Sequence, residues 1–274
     1  MSASRERKDR NVLTPAALPL HTELETRFQA WVSAAAAREP LSFTEVRKGV
    51  RALSARYVER RAAGGVAAGA LGGRGLRAAF ASFYAPLHFL TAWGAAASLP
   101  APLLAGTARV VDLGAGSGAV GAALALAAGG AEVLALDRSG WALLEARHTF
   151  AAFGLRGRTR RAELPAGVPR LGAGDLVAAG WLLNECSAAV RARLATLLAG
   201  SLGAGARVVV LEPLARGVAP WWDDFATAMA NAGAASVLLK WSIERPDWIA
   251  RLDAAAGLDH RELGARVLFG PREA

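Results

Sequence analysis

The sequence predicts an α/β fold, in which a doubly wound and mostly parallel sheet of seven strands follows a helical extension. Three observations lead to this prediction. From Pro102 onward, short apolar runs alternate with helical patterns, and a glycine-rich turn joins the first run to an Ala- and Leu-rich helix. Before Pro100 the apolar residues recur only at helical spacing. We therefore expect a helical cap over residues 1–100 and a ligand-binding domain over residues 101–274.

The alternation in the second part of the chain places each element of the sheet. Strands are predicted at Arg109–Leu113, Glu132–Asp137, Arg158–Glu163, Asp175–Leu182, Arg207–Glu212, Ser236–Ile243 and Arg266–Phe269. Helices are predicted at Ser117–Ala128, Gly140–Phe153, Ser187–Leu202, Trp221–Ala232 and Asp247–Ala256. No helical pattern separates the third strand from the fourth, so that connection is short. A helix after most strands gives a parallel sheet, with the last strand inserted antiparallel.

The first hundred residues contain three helical patterns. Residues 1–20 are polar, carry two prolines and are expected to form a mobile arm. Helices are predicted at Leu24–Ala37, Val46–Arg61 and Arg77–Ala97, with a flexible glycine-rich loop at Ala63–Gly75. Ser42 or Thr44 is placed to cap the second helix. Pro86 is expected to kink the third helix or to start its second part.

Composition limits the class of protein. With 274 residues and 53% apolar content, the chain can bury a sizeable core. Its single cysteine, Cys186, excludes an internal disulfide and a multi-cysteine metal or iron–sulfur site. The charged first ten residues do not resemble a signal peptide, and the most apolar stretch, Ala119–Ala131, is too short to span a bilayer. We expect a soluble cytoplasmic protein without membrane partners, and neither a catalytic triad nor an acidic metal cluster is indicated.

Positive charge is concentrated in the first part of the chain. The net charge is +9, of which residues 1–100 contribute +7, from 14 Lys and Arg minus 7 Asp and Glu. The predicted helix Val46–Arg61 has one apolar face and a largely basic remainder. This face is consistent either with a solvated helix surface or with contact to RNA or another acidic surface. Arginine makes up most of the basic residues throughout, which weakens an inference of phosphate binding.

A ligand site is predicted at the glycine-rich turn. Gly114, Gly116 and Gly118 let the backbone turn sharply beside a ligand, and the following helix offers its free N–H groups. The glycine spacing suits both NAD and S-adenosylmethionine. Asp112 favours S-adenosylmethionine, because a carboxylate there would repel a pyrophosphate but suit an ammonium and a sulfonium. We place Asp112 near the methionine amino group, with Ala115 among the cofactor contacts.

Further cofactor contacts are predicted at the ends of the next strands. Asp137 ends the second strand, 21 residues beyond Gly116, where doubly wound folds place a ribose-binding carboxylate. The neighbouring Arg138 is included in this group. The third strand ends at Glu163 and Leu164, where a carboxylate can accept a hydrogen bond from the adenine amino group. In the fourth strand, the small residues Ala179 and Gly180 would let the cofactor pass.

Residues for the acceptor and for catalysis are less strongly marked. Glu185 and Glu212 follow or end the fourth and fifth strands, and they are predicted as acids near the acceptor's nucleophile, with Glu185 preferred. As a general base, either carboxylate would need a raised pKa. Tyr84 and His88 stand four residues apart on one helix face, and Trp181 follows Gly180, so these three are predicted to line the substrate pocket.

These motifs resemble those of a known family. Val111–Gly118, Ala135–Asp137 and Asp175–Val177 are similar to motifs I, II and IV of class I S-adenosylmethionine-dependent methyltransferases, over about residues 105–274. Within that class, Asp175–Glu185, Val210–Pro213 and a helical region with Tyr57 and Arg60 resemble the Rsm22-like methyltransferases linked to the small ribosomal subunit.

The first resemblance implies a methyltransferase that uses S-adenosylmethionine. We predict a small-molecule acceptor, bound under the helical cap, where the aromatic residues between Phe80 and Trp93 could close an apolar pocket. The alternatives are a methyltransferase for ribosomal RNA or the small ribosomal subunit, and a non-catalytic assembly factor of Rsm22-like type. The sequence does not indicate an oligomeric state.

Overall fold

A single mixed sheet forms the centre of the protein, whose computed structural model describes residues 12–13, 20–62, 71–215 and 217–272. In the described part, eight strands form this sheet in the order β1-β7-β8-β6-β5-β2-β3-β4, with β8 antiparallel to both its neighbours and the other pairings parallel. The strands are β1 Val12–Leu13, β2 Arg109–Leu113, β3 Glu132–Asp137, β4 Gly157–Arg161, β5 Asp175–Gly180, β6 Arg207–Glu212, β7 Ala235–Ser242 and β8 Glu262–Gly270. The predicted seven-stranded sheet and its antiparallel last strand are confirmed.

The short strand β1 is an addition that the sequence did not predict. Val12 and Leu13 pair in parallel with Leu238 and Leu239 at the outer side of β7. The prediction of a mobile arm was therefore wrong for these two residues, while residues 1–11 and 14–19 lie outside the described part. An unpaired sheet edge offers backbone N–H and C=O groups that a passing segment can satisfy. A two-residue strand has no periodicity, so sequence inspection cannot detect it.

Helices cover both faces of the sheet. They are α1 Thr22–Arg38, α2 Phe43–Ala62, α3 Arg74–Ala79, α4 Ala85–Ser98, α5 Ala101–Leu104, α6 Ala119–Ala127, α7 Gly140–Ala152, α8 Ala188–Gly203, α9 Trp222–Ala230 and α10 Asp247–Ala256. Ser42 begins α2 with a capping box, since its hydroxyl accepts from the N–H of Glu45 and its own N–H donates to the Glu45 carboxylate. Ser139 and Ser187 cap α7 and α8 through their hydroxyls, which accept from the N–H groups of Ala142 and Val190.

Among the predicted boundaries that differ from the observed ones, three differ for local reasons. Helix α6 starts two residues later than predicted because Gly118 precedes it in a left-handed conformation. Strand β5 stops at Gly180 because Trp181 has a φ of 55° and leaves the extended region. Strand β4 ends at Arg161, so the predicted extension to Glu163 belongs to the following loop.

The predicted kink at Pro86 takes the form of a π-helical turn. Residues Phe80–Tyr84 form this turn between α3 and α4, and the N–H of Ala85 donates to the carbonyl of Phe80. Pro86 follows at the start of α4, and it has no N–H to donate to the preceding turn. The aromatic residues of this segment consequently stay on a nearly continuous helix.

The helices before residue 100 pack on the same face of the sheet as α6 and α7. Trp31 of α1 is buried and donates from its indole Nε1 to the hydroxyl of Thr149, at 3.0 Å. Thr149 in turn donates to the carbonyl of Ser117 in the glycine-rich turn, at 2.7 Å. A salt bridge of 2.5 Å between Arg38 and the buried Glu145 joins the same two helices. The helical extension therefore braces the turn, and the domain boundary at residue 100 stays a prediction.

Candidate functional site

The candidate site lies along one edge of the sheet. Because β2, β3, β5 and β6 are parallel neighbours in register, the loops that follow them all emerge on the same side. Strand β8 runs in the opposite direction, so the residues just before Glu262 reach that side as well. We call this side the carboxyl edge. It is the edge at which doubly wound sheets bind their ligands.

The glycine-rich turn opens at the carboxyl edge directly after β2. Gly114, Gly116 and Gly118 have φ values of 63°, 53° and 73°, in the left-handed region that favours glycine. A Cβ on Gly114 would lie 2.5 Å from Leu182, and one on Gly118 would lie 2.9 Å from Phe150. Side chains at these two positions would therefore clash. The turn can form only with glycine, and its backbone approaches the site without side chains.

Asp137 fastens the turn to the end of β3. Its Oδ2 accepts a hydrogen bond of 2.9 Å from the N–H of Gly116, and its Oδ1 accepts one of 2.8 Å from the N–H of Ser139. The residue is half-buried at the carboxyl edge. Ala115 is nearly buried and its N–H donates to the carbonyl of Leu136. Arg138, the next predicted contact, is exposed at the same edge.

Asp112 does not face the site as the sequence argument assumed. Its side chain is 1% exposed, and Oδ2 accepts a hydrogen bond of 3.0 Å from the N–H of Gly121 in α6. Burial raises the pKa of this carboxyl to about 7. The Gly121 hydrogen bond lowers this pKa and the charge of Asp137 raises it, but both effects are smaller than that of burial. A side chain on Gly121 would collide with the carboxylate. Asp112 therefore holds the start of α6 in place from below the turn.

The predicted adenine contacts lie in the loop after β4. Glu163 is exposed and Leu164 is half-buried, in a turn that the N–H of Gly167 closes by donating to the Glu163 carbonyl. At the end of β5, Ala179 is buried in the core. Gly180 faces α6, because a Cβ there would lie 2.6 Å from Val120. The small residue at position 180 is thus required by helix packing, rather than by the passage of a cofactor.

The three predicted substrate residues come together beside the turn. Trp181 donates its N–H to the Leu211 carbonyl, and its ring stacks on His88 with centroids 3.9 Å apart and an angle of 11°. Tyr84 is buried, with its ring 6.4 Å from that of His88. Phe80 lies 6.0 Å from His88, and its ring would be 3.4 Å from a Cβ on Gly116. We call these four residues, Phe80, Tyr84, His88 and Trp181, the aromatic wall.

His88 is held as a neutral ring. Burial lowers the pKa of His88 to about 3, and the charge of the nearby His260 lowers it further in the same direction. Imidazole at this position therefore stays unprotonated near pH 7 and stacks on Trp181 as an aromatic surface. To make this contact, Trp181 adopts a backbone φ that residues other than glycine rarely adopt, so the contact is accompanied by backbone strain.

The two predicted catalytic acids occupy different environments. Glu212 is fully buried at the end of β6, and its Oε1 accepts hydrogen bonds from the N–H groups of Leu183 and Asn184, at 2.7 and 3.2 Å. Burial raises the pKa of Glu212 to about 8. An enclosed carboxyl group cannot reach an acceptor, so this placement argues against Glu212 as the general base. Its hydrogen bonds instead stabilise the 3₁₀ turn Leu183–Glu185. Glu185 itself is exposed on that turn at the carboxyl edge.

A paired histidine and aspartate at the carboxyl edge were missed by the sequence analysis. Nδ1 of His260 lies 2.6 Å from Oδ1 of Asp253, and the N–H of His260 donates to Oδ2 at 2.8 Å. Arg245 also pairs with Asp253. Burial raises the pKa of Asp253, but the His260 hydrogen bonds and the Arg245 charge outweigh burial, so that pKa lies below its ordinary value. A separation of seven residues across a helix end is not a recognisable motif.

The glycine-rich turn and Asp137 fall inside a family match. Residues 96–172 match the family model described as the methyltransferase small domain. The predicted S-adenosylmethionine-dependent methyltransferase activity is thereby confirmed. S-adenosylmethionine is accordingly its cofactor. The resemblance to Rsm22-like methyltransferases receives no support from this match and stays a prediction.

Solved methyltransferase structures are similar to this methyltransferase at low identity. The mitomycin 7-O-methyltransferase is 16% identical, with 88% of this chain and 67% of that chain covered and a TM-score of 0.47. A ribosomal protein L11 methylase from Lactobacillus delbrueckii subsp. bulgaricus is 20% identical, with 66% and 76% covered and a TM-score of 0.38.

A methyltransferase from Geobacter sulfurreducens in complex with S-adenosyl-L-homocysteine is 19% identical, with 67% of this chain and 90% of that chain covered and a TM-score of 0.42. None of the curated proteins matches the chain.

The predicted basic surface of the methyltransferase is partly occupied by internal contacts. Arg74 pairs with Glu39, Arg77 donates to the Leu71 carbonyl and lies over the ring of Trp141, and Arg160 donates to the Gly167 carbonyl. Lys48 and Arg51 are exposed on α2. The side chains of Tyr57, Arg60 and Arg61 lie outside the described part.

Other predicted features of the methyltransferase can be checked among the described residues. No group of three or more His, Cys, Asp or Glu side chains there is arranged to hold a metal ion. No described helix is long and apolar enough to cross a membrane. Cys186 is half-buried, and burial together with the charges of Glu212 and Glu185 raises the pKa of its thiol to about 11. The thiol is thus protonated and weakly reactive near pH 7.

Proposed function

We propose that this methyltransferase transfers a methyl group to a small, largely apolar molecule that binds between the glycine-rich turn and the aromatic wall. The observation that carries this proposal is the position of the wall. Rings from the π-helical turn, from α4 and from the end of β5 meet beside Gly116 at the carboxyl edge. Stacked aromatic surfaces with few polar groups are typical of sites for small planar or apolar ligands.

The residues present at the turn fit S-adenosylmethionine. The three glycines give the turn the left-handed backbone that a sharp turn beside a ligand requires, and a partly exposed Asp137 can accept hydrogen bonds from ribose hydroxyls. Arg138, Glu163 and Leu164 stay the proposed contacts for the far end of the cofactor. Bound there, S-adenosylmethionine supplies a methyl carbon attached to a positively charged sulfur.

The chain's own contribution is alignment and the exclusion of water. Holding the acceptor's nucleophile in line with the methyl carbon converts a bimolecular reaction into an intramolecular one. The aromatic wall covers the turn from the side of the helical extension and contributes apolar surface there. The buried Glu212 stabilises the turn at residues 183–185 and so positions Glu185. Glu185 remains the acid that we propose near the acceptor's nucleophile.

The rival function is methylation of RNA, which the exposed Lys48 and Arg51 on α2 would favour. Purified protein is incubated with tritium-labelled S-adenosylmethionine and a cell extract, and the label is then separated into dialysable and macromolecular fractions. Label in a dialysable product that has been separated from the unreacted S-adenosylmethionine supports the proposal. Label that is confined to RNA contradicts the proposal. Labelling of RNA that falls with rising salt and is lost in the Lys48→Ala, Arg51→Ala variant contradicts it as well, because each phosphate contact weakens binding by about 0.7–0.9 log units per log unit of salt.

A further inference from the structure

A ring of the helical extension touches the glycine-rich turn. Phe80 begins the π-helical turn after α3, and it lies outside residues 96–172, which match the family model. A Cβ on Gly116 would lie 3.4 Å from Cζ of Phe80 and 3.7 Å from its Cε1, so the ring packs against the middle glycine of the turn. The N–H of Gly116 donates to Asp137. Phe80 therefore lies beside the point at which the turn meets the proposed ribose-binding carboxylate.

A second ring borders the same point from the other side. Trp141 lies in the first turn of α7, just after Ser139, whose N–H donates to Asp137 at 2.8 Å. Phe80 packs edge-on against Trp141, with centroids 6.2 Å apart and an angle of 72°. Both rings are half-buried. Two partly open aromatic rings and one carboxylate thus surround this part of the carboxyl edge.

The packing of the extension fixes the position of Phe80. Helix α2 approaches α3 so closely at Gly49 that a Cβ there would lie 2.2 Å from the carbonyl oxygen of Gly75. Arg77 of α3 donates from Nε to the Leu71 carbonyl, at 3.0 Å, and its guanidinium lies over the ring of Trp141, 5.6 Å from the centroid. Helix α3 is therefore held by α2 on one side and by Trp141 on the other. Phe80 follows α3 directly, so these contacts direct its ring onto the turn.

We propose that Phe80 is a cofactor-binding residue contributed by the helical extension, and that its ring and that of Trp141 cover the ribose and the adjoining carbons of S-adenosylmethionine. The inference rests on the part of the proposed function that places S-adenosylmethionine at the turn, and it does not depend on the acceptor. Asp137 takes the polar hydroxyl side of the ribose, while the two rings offer apolar surface to its carbon atoms. Covering that surface on binding stabilises the complex.

The exposure of the rings argues against a purely structural role. Phe83 and Phe89, which belong to the same helical segment and serve the core, are 0% exposed. Phe80 and Trp141 keep part of their surface open beside the turn. A ring that only supported the fold would gain stability from complete enclosure, whereas a ring that contacts a ligand must leave room for that ligand.

Calorimetry of the full-length protein with S-adenosylhomocysteine provides the first test. Phe80→Ala should weaken binding on the order of 10-fold, because apolar surface that the cofactor covers is lost. Phe80→Leu keeps most of this surface, so it should stay within about threefold of the wild type. The matched control is Phe43→Ala. Phe43 is also half-buried and packs edge-on against a tryptophan, Trp248, with Arg251 over its ring, but it lies between α2 and α10. The affinity of this control should be unchanged.

Photocrosslinking provides a second test, which reports contact rather than affinity. The photoreactive residue p-benzoylphenylalanine is incorporated at position 80, and in a separate protein at position 43. Each protein is irradiated with tritium-labelled S-adenosylmethionine, with and without excess S-adenosylhomocysteine. We expect covalent label at position 80, prevented by S-adenosylhomocysteine, and none at position 43. This measurement decides the inference if Phe80→Ala is too unstable for calorimetry.

The outcomes separate this inference from the proposed function. Wild-type affinity in Phe80→Ala would contradict the inference, and so would the absence of label at position 80. Tighter binding in Phe80→Ala would also contradict it, because the ring would then occupy space that the cofactor needs. In each case a wild type that binds S-adenosylhomocysteine leaves the proposed function standing. A wild type that does not bind S-adenosylhomocysteine would contradict both.

Discussion

The cofactor side and the acceptor side of the carboxyl edge are built in different ways. On the cofactor side, the turn Gly114–Gly118 and Asp137 come from two consecutive strand ends. They are joined by the hydrogen bond from the Gly116 N–H to the Asp137 carboxylate and by the pairing of the two strands. On the acceptor side, the rings of Tyr84, His88 and Trp181 come from two distant parts of the chain and meet only through packing. The comparison teaches that the first side depends on local conformation, whereas the second depends on the whole fold.

The largest expected effect concerns the acceptor side. Trp181→Gly removes the ring that stacks on His88, but it also relieves the φ of 55°. We expect turnover with the acceptor to fall on the order of 100-fold, because a displaced acceptor loses its alignment with the methyl carbon. The affinity for S-adenosylhomocysteine should stay within about twofold, since the ring lies outside the hydrogen-bonded turn. Steady-state kinetics and calorimetry measure the two effects, and equal losses in both would erase the distinction between the two sides.

The next effect concerns the cofactor side. Asp137→Ala removes a carboxylate that accepts from Gly116 and Ser139 and that faces the proposed ribose position. Losing a charged hydrogen-bond acceptor costs about 1.5–3 kcal/mol, so S-adenosylhomocysteine should bind about 10–100-fold more weakly. Titration calorimetry gives the constant. Exposed Asp259 serves as the control position, and unchanged affinity in Asp137→Ala would remove this carboxylate from the cofactor site.

A pair of glycines tests how far the turn depends on backbone conformation alone. Gly114 and Gly129 both have positive φ, but a Cβ would collide with Leu182 only at Gly114, and nothing lies within 4 Å at Gly129. Alanine at either site should lower the free energy of unfolding by about 1–2 kcal/mol through strain. Gly114→Ala should lower the free energy of unfolding further than Gly129→Ala does, and it should also weaken cofactor binding. Denaturant titration measures the first effect and calorimetry the second. If the two variants match in both measurements, close contact at the turn has no separate role.

The last effect is a pH dependence shared by the buried acids that support both sides. Burial raises the pKa of Glu212 from its ordinary value of 4.5 to about 8, so the folded protein holds this proton when the unfolded chain has lost it. Stability from this group is complete below pH 4.5 and is lost as the pH rises toward 8, by up to about 1.4 kcal/mol per pH unit. Asp112 contributes in the same direction up to about pH 7.

Glu212→Gln keeps an oxygen that can accept from Leu183 and Asn184 but cannot ionise. Thermal unfolding between pH 5 and 8 should therefore show a flatter decline in the variant than in the wild type. A parallel decline would mean that Glu212 is ionised throughout this range, and it would reopen the prediction that this residue takes part in catalysis.

The sequence predicted those features that depend on local conformation, and it did not predict which way the buried side chains face. The strand ends at Leu113 and Asp137 and the turn between them were predicted because their conformation depends on glycine spacing and on apolar runs. Asp112 and Glu212 were identified as acids at strand ends, but the direction in which each carboxylate faces depends on neighbouring helices and turns. His260 was overlooked because its partner Asp253 is seven residues away, across the end of a helix.

The sequence by itself determined the sheet, the glycine-rich turn and the class of cofactor, because periodicity and left-handed glycines act over a few residues. Tertiary structure decided which acids are enclosed, which rings form the aromatic wall, and that an inserted antiparallel strand carries His260 to the carboxyl edge. The physical reason is that burial and orientation are properties of packed neighbours. Residues far apart in the chain become neighbours only when the sheet order is set.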